Sequence, residues 1–199
     1  VDQAAKRRIV VAITGATGAV YGVRLLESLR DDAGVETHLI VSRAGALSLR
    51  AELDLGRRAV EGLADVVHSD RDIGASLASG SFRTDGMVVA PCSMKTLAAL
   101  ATGVTDTLVA RAADVTLKER RRIVLLARES PLHLVHLRNM VAVTEMGAIV
   151  MPPVPAFYAK LETVDQLVDQ TVGRVLDLFD LEPRRLRRWA GLKGRTARD

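Results

Sequence analysis

The chain has 199 residues and a formal net charge of +4, long enough for one domain with a sizeable core. Hydrophobic residues make up 48%, which excludes a disordered chain, and the longest apolar runs are strand-sized, too short to span a bilayer. Aromatic residues are only 3%, so the positive charge comes without the stacking rings of a nucleic-acid surface.

The stretch Arg8–Gly22, RIVVAITGATGAVYG, opens the pattern. Ile9–Ile13 is a β-branched run of the kind buried in a parallel strand. Thr14–Gly18 turns the chain, and Val20–Leu29 carries apolar residues at helical spacing. Such a turn leaves N–H groups at the positive end of a helix dipole, where phosphate binds, with the hydroxyls of Thr14 and Thr17 beside them. The spacing is G-x-x-G-x-x-x-G and not the dinucleotide fingerprint G-x-G-x-x-G. The turn therefore reads either as a phosphate or nucleotide cradle or as a plain strand-to-helix connection.

Val35–Val41 is a second strand, and Ser42-Arg43 at its end replaces the acid that holds a ribose in dinucleotide folds. Ala44–Leu53 is a helix carrying Glu52. Within Asp54–Ser81 the pattern is weakest: Asp65–His68 reads as a short strand, and Ile73–Ser81 as a small-residue loop near a ligand or a subunit contact. Met87–Ala90 is a strand that ends in Pro91–Thr96, a second turn suited to a phosphate or a ring. Thr105–Glu119 is helical, Ile123–Ala127 a strand, Leu132–Met146 a helix and Ala148–Met151 a strand. Pro152–Pro155 stiffens a loop, and Thr163–Leu178 is an amphipathic helix. Arg184–Arg198 is the densest basic part and reads as a solvated tail.

Five or six strands alternating with helices predict an α/β fold with an open parallel sheet, in a single domain over 1–199. Ligands in such sheets bind beyond the carboxyl ends of the strands, where Thr17, Ser42, Ser93 to Thr96, Arg128-Glu129 and Phe157-Tyr158 fall. Cys92, the only cysteine, excludes an intrachain disulfide and a thiolate metal cage; it follows a strand and reads as a structural thiol. His133 and His136 sit three apart on a helix without a third ligand and read as helix-packing residues. No basic-then-apolar leader opens the chain, which predicts a cytoplasmic location; the start at Val1 leaves the native amino terminus open.

Five segments in order, TGATGAVYG, GSFRTDGMVVAPCSMKTLA, ARAADVTLKE, ARESPLHLVHLRNM and GAIVMPPVPAFY, resemble the UbiX-type flavin prenyltransferases. The resemblance is nearest to the branch found beside phenolic-acid and hydroxybenzoate decarboxylases, and it runs from about Arg8 to Trp189. It implies a three-layer α/β/α Rossmann-like fold in a homo-oligomer, a dodecamer. It also implies an enzyme that joins the dimethylallyl group of dimethylallyl phosphate to N5 and C6 of reduced FMN. The product, prenylated FMN, would go to a UbiD-type decarboxylase, with a flavin reductase supplying reduced FMN. No metal, nucleic acid or membrane enters this reading.

Carried over residue by residue, the resemblance places FMN contacts on Gly15, Ala16, Thr17, Ser42, Ser93, Met94, Lys95, Thr96 and Arg128. Dimethylallyl phosphate contacts fall on Arg111, Lys118, Tyr158 and Arg174. Glu52 and Glu129 become the acids near the flavin, Lys118 a catalytic cation and Trp189 the active-site aromatic. Thr17 stands where some members have serine, which keeps the hydroxyl. Metal-assisted prenyl transfer needs two acid pairs, and Asp31-Asp32 is a lone pair expected to face solvent. Cations and the Tyr158 hydroxyl must then stabilise the departing phosphate. Trp189 can support allylic cation character or anchor the tail, or both. Glu129, Glu52 and the departed phosphate are the candidate acceptors for the flavin C6 proton.

Two rival readings have sequence tests. A cysteine-decarboxylating flavoprotein would carry a P-A-S-A-N-T-type turn where this chain has APCSMKT, and an M-N-x-x-M-W loop. An FMN-carrying subunit of a hydroxyarylic acid decarboxylase would bind flavin without turning over. In the resemblance, Ile73–Ser81 and Pro152–Pro155 meet neighbouring subunits, so Tyr158 and Arg174 are expected from a different chain than Thr17.

Overall fold

Runs of β-branched residues become six parallel strands: β1 (Arg7–Ile13), β2 (Val35–Val41), β3 (Val66–Ser69), β4 (Gly86–Cys92), β5 (Arg122–Ala127) and β6 (Ile149–Val150). The computed structural model describes residues 6–183 and 185–191. The strands lie in the order β3-β2-β1-β4-β5-β6, so the winding reverses between β1 and β4. That reversal opens a crevice beyond their carboxyl ends.

The helices are α1 (Ala19–Arg30), α2 (Arg43–Leu53), α3 (Arg57–Glu61), α4 (Met94–Thr102), α5 (Leu108–Lys118), α6 (Leu134–Glu145) and α7 (Val164–Leu178). Alternate strand residues, among them Val10, Ala12, Met87, Val89, Ile123 and Leu125, join one core with α4 and α5. The interposed Ile9, Val11, Ile13, Val88, Val124 and Leu126 are buried as well. Side chains alternate between the faces of a strand, so both faces of the sheet are covered and the fold has the three expected layers.

Two glycines set the closeness of this packing. A methyl group on Gly22 of α1 would overlap the Ala90 carbonyl of β4, and one on Gly45 of α2 would overlap the Ile13 carbonyl of β1. The β1 and β4 exits are also stitched together. The buried Thr14 hydroxyl donates to the Pro91 carbonyl at 2.7 Å and accepts from the Ser93 amide at 2.9 Å. Thr14 is therefore committed to the fold and does not offer its hydroxyl to a ligand.

Across β1, β2 and β3 runs a polar chain inside the sheet. Arg8 Nε donates to Glu36 Oε1 at 2.8 Å, and His38 Nε2 lies 2.9 Å from the same oxygen. His38 Nδ1 then meets His68 Nε2 at 3.0 Å. The carboxylate makes His38 Nε2 the donor, so the two imidazoles share one hydrogen bond between them. Burial and the neighbouring His38 hold the His68 imidazole below its ordinary value, against the opposing pull of Asp72.

The stretch Asp54–Ser81 holds α3, β3 and a short 3-10 turn, Ser76–Ala78. The helix read over Thr105–Glu119 starts at Leu108 because the Thr107 hydroxyl caps it. The helix read over Leu132–Met146 starts at Leu134 because the His133 side chain accepts from the Val135 amide at 3.2 Å. His133 is exposed and stacks on His136 with ring centroids 3.5 Å apart, so it is a helix cap and not the packing residue expected. Asp31 and Asp32 are exposed, as expected.

The chain divides into two compact units, Val1–Pro153 and Val154–Asp199. In the second, Thr163 caps α7. The buried Gln170 side chain accepts from the Arg187 amide and donates to the Arg187 carbonyl, both at 2.9 Å. Arg187 in turn donates to the Ala159 carbonyl at 2.8 Å. The described part of the basic stretch is thus fastened to its own unit, and 192–199 lie outside the described residues.

Candidate functional site

Of the helices that start at the carboxyl edge of the sheet, α1, α2, α4 and α5 have amino ends that are treated differently. At α1 the Gly18 and Ala19 amides both donate to Glu52 Oε2, at 2.8 and 3.0 Å. The turn read from sequence either as a phosphate cradle or as a plain strand-to-helix connection thus has its helix end closed by the protein's own carboxylate. Two donors that sequence alone leaves unassigned are spent on Glu52. At α5 the Leu108 amide donates to the Asp70 carbonyl at 2.8 Å, and the Val109 amide to Asp70 Oδ1 at 3.1 Å.

The amino ends of α2 and α4 are capped only by hydroxyls. Ser42 accepts from the Gly45 amide at 2.9 Å, and Ser93 accepts from the Thr96 amide at 3.3 Å. The Thr96 hydroxyl lies 3.1 Å from Ser93 Oγ. Among the described residues, no carboxylate meets either end. Both ends face one crevice of about 1010 Å³, lined by Gly15, Ser42, Ser93, Lys95 and Thr96 among others. Two positive dipole ends, the hydroxyls of Ser42, Ser93 and Thr96 and the Lys95 ammonium on one space can hold a phosphate.

Sequence reasoning missed Arg71, Asp70 and Thr107 in this lining, and it placed Arg43 at the strand end without giving it a contact. Asp70-Arg71 follow β3 directly, which was the available signal once that strand was placed at a sheet edge. Ala16 and the exposed Thr17 flank the crevice in sequence, next to Gly15. Met94 is partly buried against the core. Arg128 leaves β5 with its amide on the Cys92 carbonyl at 3.1 Å. Glu129, exposed, accepts from the Ser130 amide at 3.1 Å. Burial pushes the Cys92 thiol up to about 12, which makes it the inert structural thiol expected.

Arg111 and Lys118 are placed elsewhere. Thr107 and Ala110, at the start of α5, line the crevice, while Lys118 ends the helix next to the start of β5. A helix of that length carries Lys118 about 15 Å from the crevice end, toward the amino edge of the sheet. Both cations lean on the loop after the 3-10 turn. Arg111 Nε donates to the Ala78 carbonyl at 3.2 Å and its fork pairs with Asp114 at 2.8 Å. Lys118 pairs with Glu119, holding that carboxyl below the usual range. Arg121 donates to the Gly80 and Phe82 carbonyls at 2.6 and 2.9 Å. Ile73–Ser81, read as a loop at a ligand or subunit contact, is thus strapped down by Arg111 of α5 and by Arg121 just beyond it.

The second unit brings Tyr158 and Trp189 together edge to face, with ring centroids 5.6 Å apart. Both are half exposed, and the Tyr158 hydroxyl accepts from Gln170 Nε2 at 3.4 Å. Arg174 pairs with Asp177 at 2.6 Å, and Arg188 takes both oxygens of that carboxylate. The two guanidinium groups, Arg188 first, hold Asp177 below the usual carboxylate range. Arg188 was not anticipated; its signal was the RRLRRW run beside Trp189.

Among the described residues, no cluster of three His, Cys, Asp or Glu side chains could hold a metal ion. No described helix is long and apolar enough to cross a membrane.

Fold and crevice together define an open parallel-sheet protein with a polar crevice at its switch point. The Flavoprotein family model matches residues 2–176. The Escherichia coli K12 flavin prenyltransferase UbiX is 56% identical over 173 residues, covering 87% of this chain and 92% of that protein. The crystal structure of AnUbiX, in complex with FMN and dimethylallyl pyrophosphate, superposes with a TM-score of 0.91 at 55% identity, covering 94% of this chain and 98% of that one. A dodecameric FMN-dependent UbiX-like decarboxylase from Escherichia coli O157:H7 gives 0.91 at 52% identity, over 92% of this chain and 100% of the other. The chain belongs to the flavoprotein family, among its UbiX-type flavin prenyltransferases.

Proposed function

We propose that this chain is a flavin prenyltransferase that transfers the dimethylallyl group of dimethylallyl phosphate to N5 and C6 of reduced FMN. The observation that carries the reading is the pair of open helix ends, α2 and α4, facing one crevice with Ser42, Ser93, Lys95 and Thr96. They supply the donors that a flavin's terminal phosphate requires, and among the described residues no carboxylate caps either one. Gly15 to Thr17, Met94 and Arg128 would complete the flavin contacts.

Reduced FMN supplies the nucleophilic ring nitrogen when bound. The chain's own part is to hold the leaving phosphate and the proton. Lys118, Arg111, Arg174 and the Tyr158 hydroxyl would take the charge that develops on the phosphate. Trp189, already set against Tyr158, would present its face to the allylic group. Glu129, exposed at the β5 exit, is the candidate proton acceptor. Glu52 is engaged at the α1 amino end, which gives it a positioning role in this state.

Because Lys118 lies at the far end of α5 from the crevice, the prenyl-phosphate cations would come from another protomer than Thr17. A homo-oligomer, a dodecamer as in the Escherichia coli O157:H7 relative, meets that need. The product would pass to a UbiD-type decarboxylase in the cytoplasm, with reduced FMN from a flavin reductase. The protein mixed with reduced FMN, dimethylallyl phosphate and a chelator should release a flavin heavier by one prenyl group, read by mass spectrometry. Tight FMN binding with no change in flavin mass would instead leave a flavin-carrying decarboxylase subunit as the reading.

A further inference from the structure

Of the two glycines in the small-residue loop, Gly80 has a use that its backbone does not explain. Gly80 lies outside the left-handed region, so any residue could adopt its conformation. Space is what singles it out. A methyl group built on Gly80 would overlap the Glu119 carboxylate and stand 2.7 Å from Lys118 Nζ. The loop cannot withdraw to make room, because Arg121 grips the Gly80 and Phe82 carbonyls at 2.6 and 2.9 Å and Arg111 grips the Ala78 carbonyl at 3.2 Å. The Lys118–Glu119 pair therefore rests on a floor made by Gly80, held from both sides by arginines of the same region.

We propose that Gly80 is a positioning residue for the prenyl-phosphate cations: its missing side chain leaves the room in which the Lys118 ammonium lies over the loop between Arg111 and Arg121. The inference rests on the reading of Lys118 as a ligand of the leaving phosphate. The groups a methyl would meet are the far ends of two flexible side chains, so a methyl there displaces the ammonium without disturbing the core. Every charge of the cluster remains, and only its place changes.

The test compares Gly80→Ala, Lys118→Met and, as a glycine control, Gly62→Ala, where a methyl meets only ordinary contacts. Each variant is assayed for KM of dimethylallyl phosphate, Kd of FMN and Tm. Gly80→Ala and Lys118→Met should both raise KM for dimethylallyl phosphate, by roughly 10- to 100-fold. FMN affinity and Tm should stay near wild type, and Gly62→Ala should change none of the three. A normal KM in Gly80→Ala beside a raised one in Lys118→Met overturns the inference and leaves the role of Lys118 intact. A normal KM in Lys118→Met overturns that role and the inference with it. Loss of Tm and of FMN binding in Gly80→Ala would mark a purely structural glycine, which also overturns it.

Discussion

The amino ends of α1 and α4 lie at the same edge of the same sheet, each after a strand and a short turn, yet they do opposite things. At α1 the Glu52 carboxylate takes the Gly18 and Ala19 amides. At α4 the first turn keeps only the Ser93 hydroxyl and faces the crevice with Lys95. A glycine-rich turn therefore does not make an anion site by itself. What makes one is a helix end that the protein's own acids leave unneutralised, since a carboxylate brought by the fold satisfies the same donors as a phosphate.

The strongest way to break this contrast is to close α4 as α1 is closed. Ser93→Asp keeps a good helix cap but sets a carboxylate among the donors meant for phosphate. FMN affinity should fall by about 100-fold or more, as a charge-assisted bond of roughly 1.5–3 kcal/mol is lost and repulsion is added. Fluorescence titration reads the affinity, and Tm should hold. An unchanged Kd would show that the phosphate lies elsewhere.

Opening α1 is the reverse experiment. Glu52→Ala strands two amides at a helix start and should lower stability by ~1 kcal/mol, within the range of lost N-caps. Denaturant midpoints measure it, with Glu52→Gln falling between the variant and wild type because it keeps one acceptor oxygen. If Glu52 were instead a proton acceptor alone, stability would be untouched and only turnover would fall.

A finer test concerns the edge that closes α5. Asp70 reaches that helix from the end of β3, and β3 is seated by the His38–His68 bond. His68 is held below its ordinary value in the fold, so the unfolded chain binds its proton first as pH falls. Stability is then fully present above pH ~6.5 and is lost as pH drops through the folded value. His68→Gln should flatten that slope below about pH 6.5, followed by thermal melts across the range. A slope unchanged by the substitution would assign it to other groups.

The strands were legible because β-branched runs such as Ile9–Ile13 and Val35–Val41 are buried on both sides and carry their own signal. The cap serines Ser42 and Ser93 were legible as well, each directly after a strand. Glu52 closing α1 was not, because the contact spans 34 positions and exists only once α1 and α2 lie side by side. Likewise α3, with only five residues, is too short for a period, whereas the four-residue β3 lies within one residue of the strand read at Asp65–His68. They are fixed by tertiary bonds such as Asp65 Oδ2 accepting from the Thr37 amide and hydroxyl at 2.8 and 2.9 Å. Lys118 and Tyr158 read as one clamp along the sequence. The helix between the crevice and Lys118 puts length where the motif order shows only succession.

The Asp70 bridge makes two amides of one helix keep time with a strand they do not belong to. Leu108 and Val109 are both buried, and their acceptors are the carbonyl and carboxylate of a residue at the end of a four-residue edge strand. Edge strands open more readily than helix interiors. In a deuterium exchange experiment these two amides should label at the pace of β3 detaching, ahead of the neighbouring α5 amides from Ala112 onward. They give a local clock for how often the wall of the crevice comes loose.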